Sequence, residues 1–92
     1  MSDDRVARSV VVRGRVQGVF FRDTCGAEAQ AAGVAGWVSN EPDGTVHALF
    51  EGPAEAVERM VEWARQGPRL ASVEHVDVDD VPVLGLRRFE VR

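Results

Sequence analysis

The 92-residue chain predicts an α+β fold of ferredoxin-like type: a two-layer sandwich in the order β-α-β-β-α-β. Two helices would lie on one face of an antiparallel sheet of four to five strands. Three observations carry this reading. Two segments read as helices, one by its stripe of small residues and one by its 3.6-residue period. Each lies between β-branched segments of period two. The second and third of those segments are joined by Glu41-Pro42-Asp43-Gly44, in which proline presets φ and Asp-Gly tolerates positive φ. No linker, low-complexity tract or close repeat interrupts the pattern, so residues 1–92 read as one domain.

The first strand is expected over Val6–Arg13, with Val6, Val10 and Val12 on one face and Ala7, Ser9, Val11 and Arg13 on the other. Gly14 and Gly18 then bracket a turn. A helix follows from about Phe21 to Ala32. Asp23 and Thr24 suit its first turn, where a carboxylate complements the dipole. Cys25, Ala29 and Ala32 make a narrow inward stripe that allows close approach to a sheet, and Gly33 is the natural stop. Gly36–Asn40 and Thr45–Glu51 read as a hairpin. In its second arm Val46, Ala48 and Phe50 alternate with His47, Leu49 and Glu51.

Gly52-Pro53 opens the second helix. Val57, Met60, Val61 and Ala64 form its buried stripe, and Glu55 and Arg59 are spaced for an exposed i,i+4 pair. Gly67-Pro68 ends it. Val73–Val81 is the next strand, with Val76 and Val78 on one face and Asp77-Val78-Asp79-Asp80 as a solvated strand end. A last strand spans roughly Leu86–Val91.

Composition narrows the function. Apolar residues make up 45% and charged residues 28%, as expected of a globular protein. The start, Met1-Ser2-Asp3-Asp4-Arg5, is acidic and unlike a secretory signal, and no stretch is apolar enough to span a membrane. A cytoplasmic protein is the expectation. Cys25 is the single cysteine, which leaves no intrachain disulfide and no cysteine-based zinc site. No His, Asp and Glu cluster has ligand spacing, so no metal or cofactor is expected. A net charge of −4 weighs against nucleic-acid binding but leaves room for a local anion site. All 11 basic residues are arginine, which removes lysine chemistry.

The segment that carries chemistry is Gly14-Arg15-Val16-Gln17-Gly18-Val19-Phe20-Phe21-Arg22. A strand enters a glycine-containing loop and a helix leaves it. Successive N–H groups in such a loop can converge on an anion, helped by the helix N-terminus behind them. Arg22 stands where its guanidinium can grip two phosphate oxygens. The loop has neither a Walker A ending nor a G-x-G-x-x-G fingerprint. Gln17 reads as a brace for the loop. Phe20, Phe21 and Trp37 read as core residues, with Phe20 also a candidate wall of the cleft. His47 and His75 are isolated on strands, and Cys25 reads as packed, not reactive.

Gly14–Arg22 resembles the G-x-V-Q-G-V-x-F-R signature of the acylphosphatase family. Gly36-Trp37-Val38-Ser39-Asn40 with Asp43-Gly44-Thr45-Val46 resembles its second motif, and Phe89-Glu90-Val91-Arg92 its final strand. The resemblance spans nearly the whole chain. It implies hydrolysis of a small acyl phosphate to a carboxylate and inorganic phosphate, by a monomer that needs no metal, cofactor, nucleic acid or membrane. It implies that Arg22 binds the substrate phosphate and that Asn40 positions the attacking water. The backbone amides of Arg15, Val16, Gln17, Gly18, Val19, Phe20 and Phe21 would hold the phosphoryl oxygens. Ser39 departs from the many members that carry a basic residue there. Two rivals share the fold: an RNA-binding module, which should show aromatics on the open sheet face, and the front module of a larger carbamoyltransferase.

Overall fold

A computed structural model describes residues 4–92; residues 1–3, part of the acidic start read above, lie outside the described residues. The elements run β1 (Arg5–Arg15), α1 (Phe21–Ala32), β2 (Ala35–Asn40), β3 (Val46–Pro53), α2 (Ala54–Gln66), β4 (Ser72–Val81) and β5 (Phe89–Val91). The sheet has the order β4-β1-β3-β2-β5, and the two helices pack on it to complete a ferredoxin-like α+β sandwich. Each neighbouring pair among the first four strands in that order is antiparallel. The fifth, β5, is parallel to β2, so the sheet is mixed where an all-antiparallel one was expected.

Period two decides the core. Val10 and Val12 of β1 stand opposite Ala48 and Val46 of β3, and all four are buried beneath the helices. Val38 joins them from β2 and Phe50 from β3, while Val76 and Val78 of the edge strand pack against the same cluster. Helix α1 contributes Phe21 and a stripe of small residues, Cys25, Gly26 and Ala29, that lets it lie close to β5; a Cβ at Gly26 would collide with the Val91 side chain. Helix α2 contributes Ala56, Val57, Met60, Val61 and Ala64. Phe21 and Trp63 join the two helices with ring centroids 5.0 Å apart.

α1 stops where the sequence says it should. Gly33 adopts φ 72°, its N–H donates to the Gln30 oxygen, and the Val34 N–H donates to the Ala29 oxygen. This is the paired bonding of a Schellman motif, and it returns the chain into β2.

Several expectations are corrected. Gly14 does not bracket the turn; it lies inside β1 at a register shift against β4, at φ 130°, where a Cβ would strike the Ser72 main-chain oxygen. The extra residue at the shift is Glu74 of β4, so β4 is the strand that bulges. Phe20 is not in the core: it is 68% exposed and has φ 66°, the one positive φ outside glycine among the described residues. Trp37 is only partly buried, with the Arg92 guanidinium 4.9 Å over its ring. The acidic run fills the exposed last part of β4, as expected, and there Asp77 pairs with Arg13 and Asp80 with Arg8. Glu55 and Arg59 do not form an ion pair among the described residues; on that helix Glu58 pairs with Arg8 and Glu62 with Arg65.

The last strand is shorter than expected because residues 82–88 serve another purpose. They cross from the β4 edge to the β5 edge over the open face of the sheet. Ala7, Glu51 and Ala35 stand side by side in neighbouring strands beneath that crossing. The fully buried Glu51 carboxylate accepts the N–H groups of Leu84 at 2.8 Å and Leu86 at 2.7 Å, with Arg5 3.7 Å away. Burial pushes the Glu51 carboxyl up. The N–H groups of Leu84, Leu86 and Gly85 and the Arg5 charge outweigh this and hold it below its ordinary value.

Candidate active site

Residues 16–20 connect the end of β1 to α1, and β2 ends at Asn40 beside them. Asn40 shares the strand parity of Val38, so its side chain leaves the sheet on the helix side, at the end where α1 begins. Arg22 lies in the first turn of α1. The two side chains meet in one cleft of about 250 Å³, lined by Val16, Gly18, Phe20, Phe21, Arg22, Asp23 and Asn40.

The loop is held from outside. The Gln17 side-chain amide donates to the main-chain oxygens of Glu41 at 2.8 Å and Thr45 at 2.9 Å. Those two residues close the β2–β3 turn themselves, through the Glu41 N–H on the Thr45 oxygen. Asp43 completes the turn by accepting the N–H and the hydroxyl of Thr45 at 3.0 and 2.6 Å. The hydroxyl bond and then the N–H bond hold the Asp43 carboxyl below its ordinary value. Gln17 therefore ties the loop to the hairpin that carries Asn40, the bracing expected from the sequence.

Donors in the loop are free. Among the described residues, none accepts a hydrogen bond from the main-chain N–H groups of Gly18, Val19 or Phe20. α1 has no side-chain cap, so its first-turn N–H groups add to the set. Arg22 Nη1 donates to the main-chain oxygen of Arg92 at 2.6 Å, a contact that fixes one edge of the guanidinium. The Asn40 Oδ1 atom is buried and has no hydrogen-bond partner. An orphaned acceptor costs about 1–3 kcal/mol, so it is a feature that wants a reason.

Of the residues expected at the site, Arg22, Asn40, Val16, Gly18, Phe20 and Phe21 line the cleft. Arg15, Gln17 and Val19 do not. Arg15 is the exposed last residue of β1, opposite Ser72. Gln17 turns toward the hairpin. The Val19 side chain is buried and borders a neighbouring groove. Asp23, expected only to complement the helix dipole, lines the cleft as well. The contact of Arg92 with Arg22 was also missed. No local pattern signals it, because it joins opposite ends of the sequence.

Other titratable groups stand apart. Burial, and then the Glu28 charge, pushes the Cys25 thiol up to about 12, so it carries no thiolate at neutral pH. His75 is exposed and bonded to Asp77 at 2.8 Å. The Ser39 hydroxyl donates to Glu41 Oε2 at 2.7 Å, where a basic side chain was absent from the motif. Among the described residues, no three His, Cys, Asp or Glu side chains gather as a metal site, and no helix is long and apolar enough to cross a membrane.

The arrangement is a nest of peptide donors with one guanidinium and one unpaired amide oxygen. Donors of that kind suit a tetrahedral anion. Comparison with known proteins shows the family. The family model described as Acylphosphatase matches residues 8–91. A protein named Acylphosphatase from a Nocardioides species is 58% identical over 90 residues, covering 98% of this chain and 91% of that one. The crystal structure of acylphosphatase from Bacillus subtilis superposes with a TM-score of 0.90 at 38% identity, over 95% of this chain and 98% of that one. The structure of an acylphosphatase from Coxiella burnetii gives a TM-score of 0.92 at 32% identity, over 97% and 94% of the two chains.

Proposed function

This chain belongs to the acylphosphatase family, and we propose that it hydrolyses acyl phosphates to a carboxylate and inorganic phosphate without a metal ion. The observation that carries the mechanism is that Arg22 and the unpaired Oδ1 of Asn40 line one cleft with the open N–H groups of the loop.

The substrate is a mixed anhydride of a carboxylic and a phosphoric acid. Its departing carboxylate has a conjugate acid of pKa about 4 to 5, like a side-chain carboxyl. Such a group leaves without being protonated, so no general acid is required. The transition state of phosphoryl transfer is loose, with negative charge spread over the phosphoryl oxygens, and stabilising it is a matter of placement and charge. In this reading the loop N–H groups, those of Gly18, Val19 and Phe20 among them, and the Arg22 fork meet that charge.

Asn40 supplies direction. A water that donates one hydrogen to Oδ1 turns a lone pair toward phosphorus. As the bond from water oxygen to phosphorus forms, the bond from phosphorus to the acyl oxygen breaks, and its electron pair leaves with the carboxylate. In this reading the proton lost by the water goes to a phosphoryl oxygen of the substrate itself. Asn40 then recovers a water and the cycle closes with release of phosphate.

A reaction of this kind asks for a small diffusing substrate and no macromolecular surface. The working form in this reading is a cytoplasmic monomer of one domain. The test is phosphate release from acetyl phosphate in the presence of a chelator. Wild type should be active, and Arg22→Lys and Asn40→Ala should each lose most of the rate. Normal hydrolysis by both variants would remove the site assignment, and loss of wild-type activity to the chelator would remove the metal-free mechanism.

A further inference from the structure

A groove of about 740 Å³ opens at the end of the sheet away from the cleft, and the two share no lining residue. Ala35 lines the groove and Asn40 the cleft. They are the first and last residues of β2, roughly 16 Å apart at about 3.3 Å per residue. The groove is bounded by the start of β1, the end of α1 and the crossover that precedes β5.

Its charge is one-sided. Arg5, Arg87 and Arg88 line it, and no Asp or Glu does, although the chain as a whole carries a net charge of −4. Arg5 shares its charge with the buried Glu51, 3.7 Å away. Among the described residues, Arg87 and Arg88 have no ion-pair partner. Gln30 adds a side-chain amide. The Ala29 and Gln30 carbonyls of α1, whose oxygens would repel an anion, are already bonded to the N–H groups of Val34 and Gly33.

Glu51 holds this arrangement in place. Its carboxylate accepts the N–H groups of Leu84 and Leu86, just before Arg87 and Arg88, and stands beside Arg5. The segment that carries two arginines is thereby fixed next to the third. Like charges gathered in one concavity repel one another and concentrate a positive field. An anion of several charges removes that repulsion, and a guanidinium offers paired donors to a phosphate or a carboxylate. The groove has the volume of a small-molecule site.

We propose that this groove binds a small polyvalent anion, with the chemistry shared by polyphosphates and polycarboxylates. The site is separate from the cleft and takes no part in the reaction there.

Titration of the full chain at low salt with tripolyphosphate and with citrate, followed by amide NMR, reads the two ends of the molecule separately. The signals of Gly33, Gly85 and Phe89 should move, and added salt should weaken the binding. The anion that binds tighter tells whether phosphate or carboxylate groups are preferred. The double variant Arg87→Ala/Arg88→Ala should weaken the affinity read at those signals roughly tenfold or more, while acetyl phosphate is hydrolysed as in wild type. Arg59→Ala, which removes an exposed arginine of α2, should leave the affinity unchanged. No movement with either anion, movement confined to Gly18 and Phe20 of the cleft, or equal weakening by Arg59→Ala would overturn the site.

Discussion

Arg22 donates through Nη1 to the main-chain oxygen of Arg92, 2.6 Å away and at the opposite end of the sequence. The bond steers the guanidinium on its helix turn and leaves its other N–H groups for an anion. Lysine would keep the charge but lose the fork. Arg22→Lys should lower kcat/KM for acetyl phosphate about a hundredfold or more. Its stability should fall by no more than about 1 kcal/mol, the worth of one hydrogen bond. Steady-state kinetics with a urea titration checks both.

Asn40 gives a prediction in which activity and stability part company. Its unpaired buried oxygen costs stability in the resting protein. Asn40→Ala should lose about a hundredfold in kcat and still bind inorganic phosphate. Its melting temperature should stay level or rise. A marked fall would mean that the amide is there for the turn.

Gln17 is the brace between the two halves of the site. Gln17→Leu leaves the oxygens of Glu41 and Thr45 without their donor and should cost about 1–3 kcal/mol. Because the loop and Asn40 lose their common reference, kcat should fall as well, although Gln17 does not line the cleft. Kinetics well below the melting temperature separates this effect from unfolding.

Asp23 places a carboxylate at the mouth of an anion site. Asp23→Asn should lower KM for acetyl phosphate by roughly two- to fivefold, the scale of an exposed charge interaction. The gain should shrink in high salt. An unchanged KM at low salt would show that Asp23 faces solvent and not substrate.

Glu51 predicts a pH dependence. Its carboxyl is held below the ordinary value in the folded protein. A group shifted that way adds stability above the unfolded value, about 4.3, and loses it as pH falls through the folded value. The stability gap between wild type and Glu51→Gln should be constant above about pH 5 and close in more acid solution. Urea midpoints across that range test it; a gap independent of pH would contradict it.

The elements that obey local rules were legible in the sequence. Helix α1 has the bounds its pattern predicts, ending at Gly33, and the α2 stripe of Val57, Met60, Val61 and Ala64 is buried as read. The loop, Arg22 and Asn40 were legible because the motifs that hold them are contiguous. What stayed hidden depends on pairing between distant segments. Glu51 looks like one more outward residue of an alternating strand until the crossover lies on top of it. Gly14 looks like a turn residue until β4 is paired with β1. Phe20 reads as core by type, and only its backbone conformation turns it out to solvent. β5 is short because the N–H groups before it are committed to Glu51.

In the proposed mechanism, water held by Asn40 attacks phosphorus held by Arg22. Hydrolysis of acetyl phosphate in water enriched in oxygen-18, with the products read by mass spectrometry, distinguishes attack at phosphorus from attack at carbon. The mechanism places one heavy oxygen in the phosphate and none in the acetate. Heavy oxygen in the acetate would mean attack at the carbonyl carbon, and the roles given to both side chains would fall.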